Sequence, residues 1–248
     1  MAELSAKKVL VVGASRGLGR GIAQAFSDSG AQVIAVARDS QRLAELTGPE
    51  SSIVAEVADA TDPAVAGTLL ARHRPDVLAL VAGAMPVLGR LQDYTWETFS
   101  TNWNSDVRIG FEWLREVLLL PLQPGSRVLV MSSGAALNGS PVSGSYAGAK
   151  ATLRFIADYA GQEARRAGLG ISVTAILPRL TAETDLGRPA VAAYAARARI
   201  TEAQFLSQMG TPVTAAVAGE AFVHLATTDP ASLAAAYLLT GDGLQPLA

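Results

Sequence analysis

This chain predicts a doubly wound α/β fold: a parallel sheet of about seven strands with helices on both faces, in three layers. Three observations carry that expectation. Short apolar runs alternate with stretches of helical spacing, as they do in consecutive βαβ units. The first run leads straight into a glycine turn and then an amphipathic segment. A length of 248 residues, half of them hydrophobic and 17% charged, suits one α/β domain with a large core.

The elements follow in order. Lys7 to Val12 reads K-K-V-L-V-V, rich in β-branched residues like a buried parallel strand. Gly13-Ala14-Ser15-Arg16-Gly17-Leu18-Gly19 makes the turn, and a helix follows with Ile22, Ala25 and Phe26 on one side. Glycine allows a tight turn and lets backbone N–H groups approach a phosphate, which the helix N-terminus attracts. Further strands are expected at Val33–Ala37, Ile53–Val57, Val77–Val81, Val128–Met131, Val173–Leu177 and Tyr237–Thr240. Helical spacing recurs at Leu43–Leu46, Val65–Arg72 and Thr98–Leu120. Residues 1–248 read as a single domain, with no internal repeat and no linker. The least regular stretch, 178–212, follows a sheet strand and is expected to form a substrate lid.

Composition excludes several functions. The net charge of −2 argues against a nucleic-acid binder, which would carry a basic patch. There is no cysteine, which removes disulfides and thiolate metal sites. His73 and His224 are the only histidines, which removes a multi-histidine metal site, so no metal is expected. No apolar run approaches the ~20 residues of a membrane span. Leu118–Leu122, interrupted by Pro121, reads as a buried helix end. Met1–Ala6 reads as a short disordered start without the apolar segment of a signal peptide. A soluble cytoplasmic protein is the expectation.

The chemistry-bearing stretch is S-S-G-A-A-L-N-G-S-P-V-S-G-S-Y-A-G-A-K, with Tyr146 thirteen and Lys150 seventeen residues after Ser133. Tyr146 and Lys150 are four apart and share a helix face. A phenol, with an ordinary pKa of about 10, is a poor acid or base near neutrality. A neighbouring ammonium favours the phenolate. A serine hydroxyl nearby can hold a substrate oxygen. Together the three can move a proton to or from a carbonyl oxygen.

The glycine pattern G-x-x-x-G-x-G at Gly13, Gly17 and Gly19, and the later Ser133, Tyr146 and Lys150, resemble those of the short-chain dehydrogenase/reductase family. The resemblance runs from about Lys7 to the end and implies a Rossmann-type fold. It implies a catalytic set of Asn104, Ser133, Tyr146 and Lys150, with Lys150 also binding nicotinamide ribose hydroxyls. Ser132 competes with Ser133, but the thirteen-residue interval favours Ser133. The family's asparagine holds a water linking the lysine to solvent; Asn104, 29 residues before Ser133, fits the interval, with Asn102 as the fallback. Cofactor contacts are implied at Gly13, Ser15, Arg16, Gly17, Leu18, Gly19, Arg38, Asp59, Ala82, Gly83, Tyr146, Lys150 and Pro178.

Cofactor choice turns on the end of the second strand, V-I-A-V-A-R-D. Enzymes preferring NAD usually place an acid there. Ala37 stands at that position, followed by Arg38, and Arg16 is a second cation aimed at the same region. Two arginines can clamp a 2′-phosphate, so NADP(H) is favoured over NAD(H). Asp39 replaces the missing acid if the strand ends one residue later. Asp59 matches the family's adenine-contacting acid, and Asp62, before Pro63, reads as a helix cap.

Three departures from the family stand out. Val12 replaces the usual threonine, Leu80-Val81-Ala82-Gly83 replaces an N-N-A-G segment, and Pro178-Arg179 replaces a proline-glycine pair. The missing asparagines normally tie the central strands together. Arg179 either meets a phosphate or acidic substrate or points into solvent. Met85, Ala135, Leu137, Asn138, Val142 and parts of Leu180–Met209 are expected to face the substrate. Tyr94, Trp96 and Trp103 are expected in core or interface.

The resulting expectation is an NADP(H)-dependent oxidoreductase interconverting a small-molecule carbonyl and a secondary alcohol, with Tyr146 as general acid/base. The resemblance also implies a homotetramer or homodimer, compatible with the apolar Leu114–Leu120 stretch. The alternative is a dinucleotide-binding sensor or scaffold that has lost catalysis. Such relatives often lose the tyrosine or lysine, and this chain keeps both.

Overall fold

A computed structural model of the protein describes residues 4–48 and 51–247. The strands are β1 (Lys8–Val12), β2 (Gln32–Ala37), β3 (Ile53–Val57), β4 (Val77–Leu80), β5 (Arg127–Met131), β6 (Ser172–Pro178), β7 (Ala236–Thr240) and β8 (Gly243–Leu247). The helices are α1 (Gly17–Asp28), α2 (Ser40–Ala44), α3 (Pro63–His73), α4 (Trp96–Phe99), α5 (Arg108–Leu119), α6 (Ala135–Asn138), α7 (Gly144–Arg166), α8 (Gly187–Ala198), α9 (Glu202–Gln208) and α10 (Ala215–Thr227).

The strands form one eight-stranded sheet in the order β3-β2-β1-β4-β5-β6-β7-β8. All pairs are parallel except β7 with β8. Strand order reverses between β1 and β4, and the carboxyl ends at such a reversal open a crevice where ligands bind.

Alternation along the strands explains why helices cover both faces. Leu10 and Val12 join a core with Leu69 of α3, Trp113 of α5 and Leu153 of α7. Val9 and Val11 join the opposite core with Ile22 and Phe26 of α1 and Phe222 of α10. No helix among the described residues is long and apolar enough to cross a membrane.

The sheet is close to the expected seven strands, and three other expectations need correction. The sheet has an eighth strand, β8, which carries Pro246. It is an antiparallel edge strand, a place that tolerates proline and hides from an alternation pattern. The helical stretch Thr98–Leu120 is broken: α4 ends at Phe99, and a π-helical turn, Trp103–Val107, precedes α5. The end of α5 is not buried, since Leu119 and Leu120 are 57% and 47% exposed. Of the expected disordered start, residues 1–3 lie outside the described residues, while Leu4 is buried and its carbonyl accepts from Lys7 N–H at 3.0 Å.

Candidate active site

The carboxyl ends of the central strands line a cleft of about 870 Å³. Its floor is the turn between β1 and α1. Gly13 has φ +97°, and a Cβ there would sit 2.6 Å from the Ala82 backbone. Gly19 is closer still, since a Cβ there would meet the Gly13 carbonyl oxygen at 2.0 Å. Only glycine permits this folding of the turn back onto the helix start and the β4 loop. Helix α1 begins with no side-chain cap and no acid in its first turn. Its positive end therefore faces a cleft lined by Ser15, Arg16, Gly17 and Leu18, which suits a phosphate-bearing ligand.

Ser133, Tyr146, Lys150 and Pro178 line the same cleft from β5, α7 and β6. Ser132 and Ser133 separate cleanly. The Ser132 hydroxyl is buried and donates to the Lys150 carbonyl at 2.7 Å, which ties β5 to α7. Ser133 is half-buried, and its Oγ accepts from Ala135 N–H at 3.2 Å. Tyr146 is half-buried among Ser145, Ala147 and Gly148, and Lys150 Nζ lies 5.6 Å from its ring centroid.

Lys150 is buried, and its ammonium donates to the Met131 carbonyl at 3.3 Å. It also forms an ion pair at 3.0 Å with Asp106 Oδ2, with side chains 5% and 0% exposed respectively. Burial pulls the Lys150 pKa down, but the Asp106 carboxylate and Tyr146 outweigh it, and the net direction is up.

Asp106 was not among the residues expected here. Asn104 was, and it faces outward: it is exposed, lies outside the cleft, and donates to Ser100 Oγ at 3.3 Å. Asn102, the fallback, is fully buried and donates to the Ala84 carbonyl at 3.0 Å. The π-helical turn is the physical reason. It inserts a residue into the helical register, so the inward position passes to Asp106. The sequence carries no mark of this, because Asp106 stands among the polar neighbours Asn102, Asn104, Ser105 and Arg108.

Asp106 and Asn102 also answer the loss of the family's paired asparagines. Asp106 Oδ1 accepts from Ala84 N–H at 2.8 Å, while Leu80 packs in the core. Together with the Asn102 bond, this fastens the loop after β4 to the π turn. The loop is close-set, because a Cβ on Gly83 would meet Asp106 Oδ2 at 2.7 Å.

At the other end of the cleft, Arg16, Arg38 and Arg42 gather with Asp39, Asp59 and Asp185. Asp39 caps α2 by accepting from Arg42 N–H at 3.0 Å, and Ala37 ends β2. Arg38 lies 3.8 Å from Asp59, and Arg16 lies 3.8 Å from Asp185. Asp59 is held below the usual carboxylate range, first by the Thr61 N–H and hydroxyl and then by Arg38. Asp62 caps α3 through Ala64 N–H at 2.9 Å, next to Pro63.

Residues 178–212 supply α8 and α9, and Thr181, Tyr194, Phe205 and Met209 from this stretch line the cleft. Met85, Ala135, Leu137 and Asn138 line it as well, whereas Val142 is buried behind it. Arg179 lines the cleft and is exposed. Tyr94, Trp96 and Trp103 lie outside it; Trp96 is 77% exposed and so is not core. No cluster of three or more potential metal ligands occurs among the described residues.

The chain is 30% identical over 193 residues to 3-oxoacyl-(acyl-carrier-protein) reductase of Escherichia coli, covering 73% of this chain and 76% of that protein. It is 31% identical over 161 residues to versicolorin reductase 1 of Aspergillus parasiticus, covering 61% of each. Its fold matches a crystal structure of 3-ketoacyl-(acyl-carrier-protein) reductase from Brucella melitensis complexed with NADH, with TM-score 0.78 and 21% identity over 96% of this chain and 98% of that one. The profile of the short chain dehydrogenase family matches residues 7–195, three-quarters of the chain, and the chain belongs to that family of oxidoreductases.

Proposed function

We propose that the protein is an NADP(H)-dependent oxidoreductase interconverting a small-molecule carbonyl and a secondary alcohol. The observation that carries this reading is the convergence of Ser133, Tyr146 and Lys150 on the cleft that the glycine turn lines. The bound dinucleotide supplies the hydride chemistry. Gly13, Ser15, Arg16, Gly17, Leu18 and Gly19 hold its pyrophosphate at the start of α1. Ala82, Gly83 and Pro178 flank its nicotinamide half, and Asp59 receives its adenine. Tyr146 gives its hydroxyl proton to the substrate oxygen in reduction and takes one back in oxidation. Ser133 Oγ–H holds that oxygen, and Lys150 sets the charge beside the phenol. Asn104, exposed and outside the cleft, drops out of this set.

Preference for NADP(H) rests on charge. Arg16 and Arg38 line the adenosine end, Ala37 offers no acid, and the side chain of Asp39 is engaged in capping α2. The exposed carboxylate partners of the two arginines can yield to a 2′-phosphate.

Residues 178–212 act as the lid over the substrate. Tyr194 and Phe205 stack at 5.6 Å, and the Tyr194 hydroxyl lies 2.5 Å from Ser140 Oγ, joining α8 to the loop before α7. With Met85, Leu137 and Met209 they make an apolar pocket suited to an apolar or aromatic ketone.

The test is a titration with NADPH and, separately, NADH, followed by fluorescence. Tight NADPH binding that weakens about tenfold or more on Arg38→Ala supports the assignment, since a charge-assisted bond is worth roughly 1.5–3 kcal/mol. Preference for NADH moves the acid's role to Asp39. Binding without turnover on a carbonyl panel supports the sensor reading instead.

A further inference from the structure

Buried charge is rare in this molecule. Among the described residues only Asp106, Arg127 and Lys150 are charged and buried. Arg127 donates from Nη1 and Nη2 to the carbonyls of Gly125 and Thr228, leaves Nε unpartnered, and lies at the start of β5, away from the cleft. Asp106 and Lys150 have each other. The other three carboxylates of the cleft, Asp39, Asp59 and Asp185, are exposed and pair with arginines.

Without Asp106, Lys150 would keep only the Met131 carbonyl for its ammonium among the protein contacts here. A lysine this deeply buried sheds its proton readily unless an opposite charge is near. Other surrounding groups do little to help. The loop after β4 brings Val81, Ala82, Gly83 and Ala84, none of them titratable. The end of β5 brings Met131, Ser132 and Ser133, likewise without charge. Helix α7 contributes Tyr146, helix α5 begins with an exposed Arg108, β6 ends beside an exposed Arg179, and α8 brings Tyr194. The two arginines are cations and oppose a second positive charge.

We propose that Asp106 is a positioning residue whose carboxylate keeps Lys150 protonated and fixes its Nζ beside Tyr146 before any cofactor enters. The same carboxylate accepts from Ala84 N–H, so it couples the charge of the proton-transfer helix to the loop after β4. A backbone N–H and an ammonium then share one carboxylate across the two halves of the cleft. The inference deepens the reading of Lys150 as part of the proton-transfer group and is tested without cofactor or substrate.

Lysine is scarce enough to make the test direct, because Lys7, Lys8 and Lys150 are the only three. The protein labelled with ¹³C at lysine Cε gives three signals, and the Lys150 signal is assigned by its loss in Lys150→Arg. In the wild type the Lys150 signal should titrate above the ordinary lysine range of about 10.4. In Asp106→Asn, which keeps an oxygen for Ala84 N–H, it should titrate lower by about one unit or more. Asp106→Ser should move it the same way, and Asp106→Glu should restore part of the shift.

A wild-type signal that titrates below the ordinary range overturns the proposal. So does an unchanged signal in a folded Asp106→Asn or Asp106→Ser protein. Failure of both variants to fold assigns Asp106 a purely structural part and also overturns it. A shifted lysine in a protein that reduces nothing leaves this inference standing and removes the oxidoreductase reading. If both hold, the alkaline limb of the activity profile moves to lower pH in Asp106→Asn, because Lys150 loses its charge sooner.

Discussion

Tyr146 and Lys150 were legible as a pair because four residues is just over one helical turn. Nothing in the packing of α7 disturbs that spacing, and Lys150 Nζ comes to 5.6 Å from the phenol ring. Tyr146→Phe removes one hydroxyl and keeps the ring in its half-buried place. Turnover should fall by about 10²–10⁴-fold, the usual contribution of general acid–base assistance, while the dissociation constant for NADPH stays nearly constant. Steady-state kinetics alongside a binding titration checks this, and a comparable loss of binding would count against a proton-transfer role. Asp106 was not legible at this scale. Its neighbours in N-W-N-S-D offered two asparagines that matched an expected interval, and the π turn that selects the aspartate instead leaves no mark in a periodicity.

At the scale of elements, the turn between β1 and α1 is tightly constrained. Its glycines are spaced as the sequence shows, but the reason for Gly13 and Gly19 is a close approach that appears only in the fold. Gly13 faces Ala82 of the β4 loop, and Gly19 faces the Gly13 carbonyl. Gly19→Ala places a methyl carbon 2.0 Å from that oxygen, which forces the turn to open. Dinucleotide affinity should drop by more than tenfold while the circular dichroism spectrum keeps its α/β shape, because the rest of the sheet does not depend on the turn. An affinity equal to wild type would mean the turn does not hold the pyrophosphate. The seven parallel strands were readable as apolar runs, the inner ones because strands buried on both faces are apolar, and the edge strand β3 despite Val54 and Val57 being 58% exposed. β8 was not, because an edge strand covered on one side can carry Gly243, Gln245 and Pro246.

For the whole molecule, the informative surface is the outer side of the layer built from α5 and α7. The two helices meet at Gly110, where a Cβ would run into Leu153. Each leaves large apolar side chains in solvent: Phe111 is 54% exposed, Phe155 66% and Tyr159 55%. Phe155 and Tyr159 lie against each other at 6.2 Å. Exposed apolar groups of this size mark association surfaces. We therefore expect a homo-oligomer joined through these helices. Phe155→Glu places a charge in that contact and should lower the mass seen by light scattering. A wild type already monomeric at micromolar concentration would refute the expectation.

The parallel sheet, the glycine turn, and the order and spacing of Ser133, Tyr146 and Lys150 could all be read from the residues in order. Each is a local pattern: an apolar run, a steric requirement at a turn, or one helical repeat. Tertiary structure set the two serines apart: Ser132 is buried and donates to the Lys150 carbonyl, while Ser133 stays half-buried, with its Oγ accepting from Ala135 N–H. It decided that Asp39 caps a helix and that Asn104 points outward. It also decided that Asp106 meets Lys150 inside the protein. These outcomes depend on helical register and on partners far apart in the chain, and a buried charge is placed by the opposite charge that compensates it.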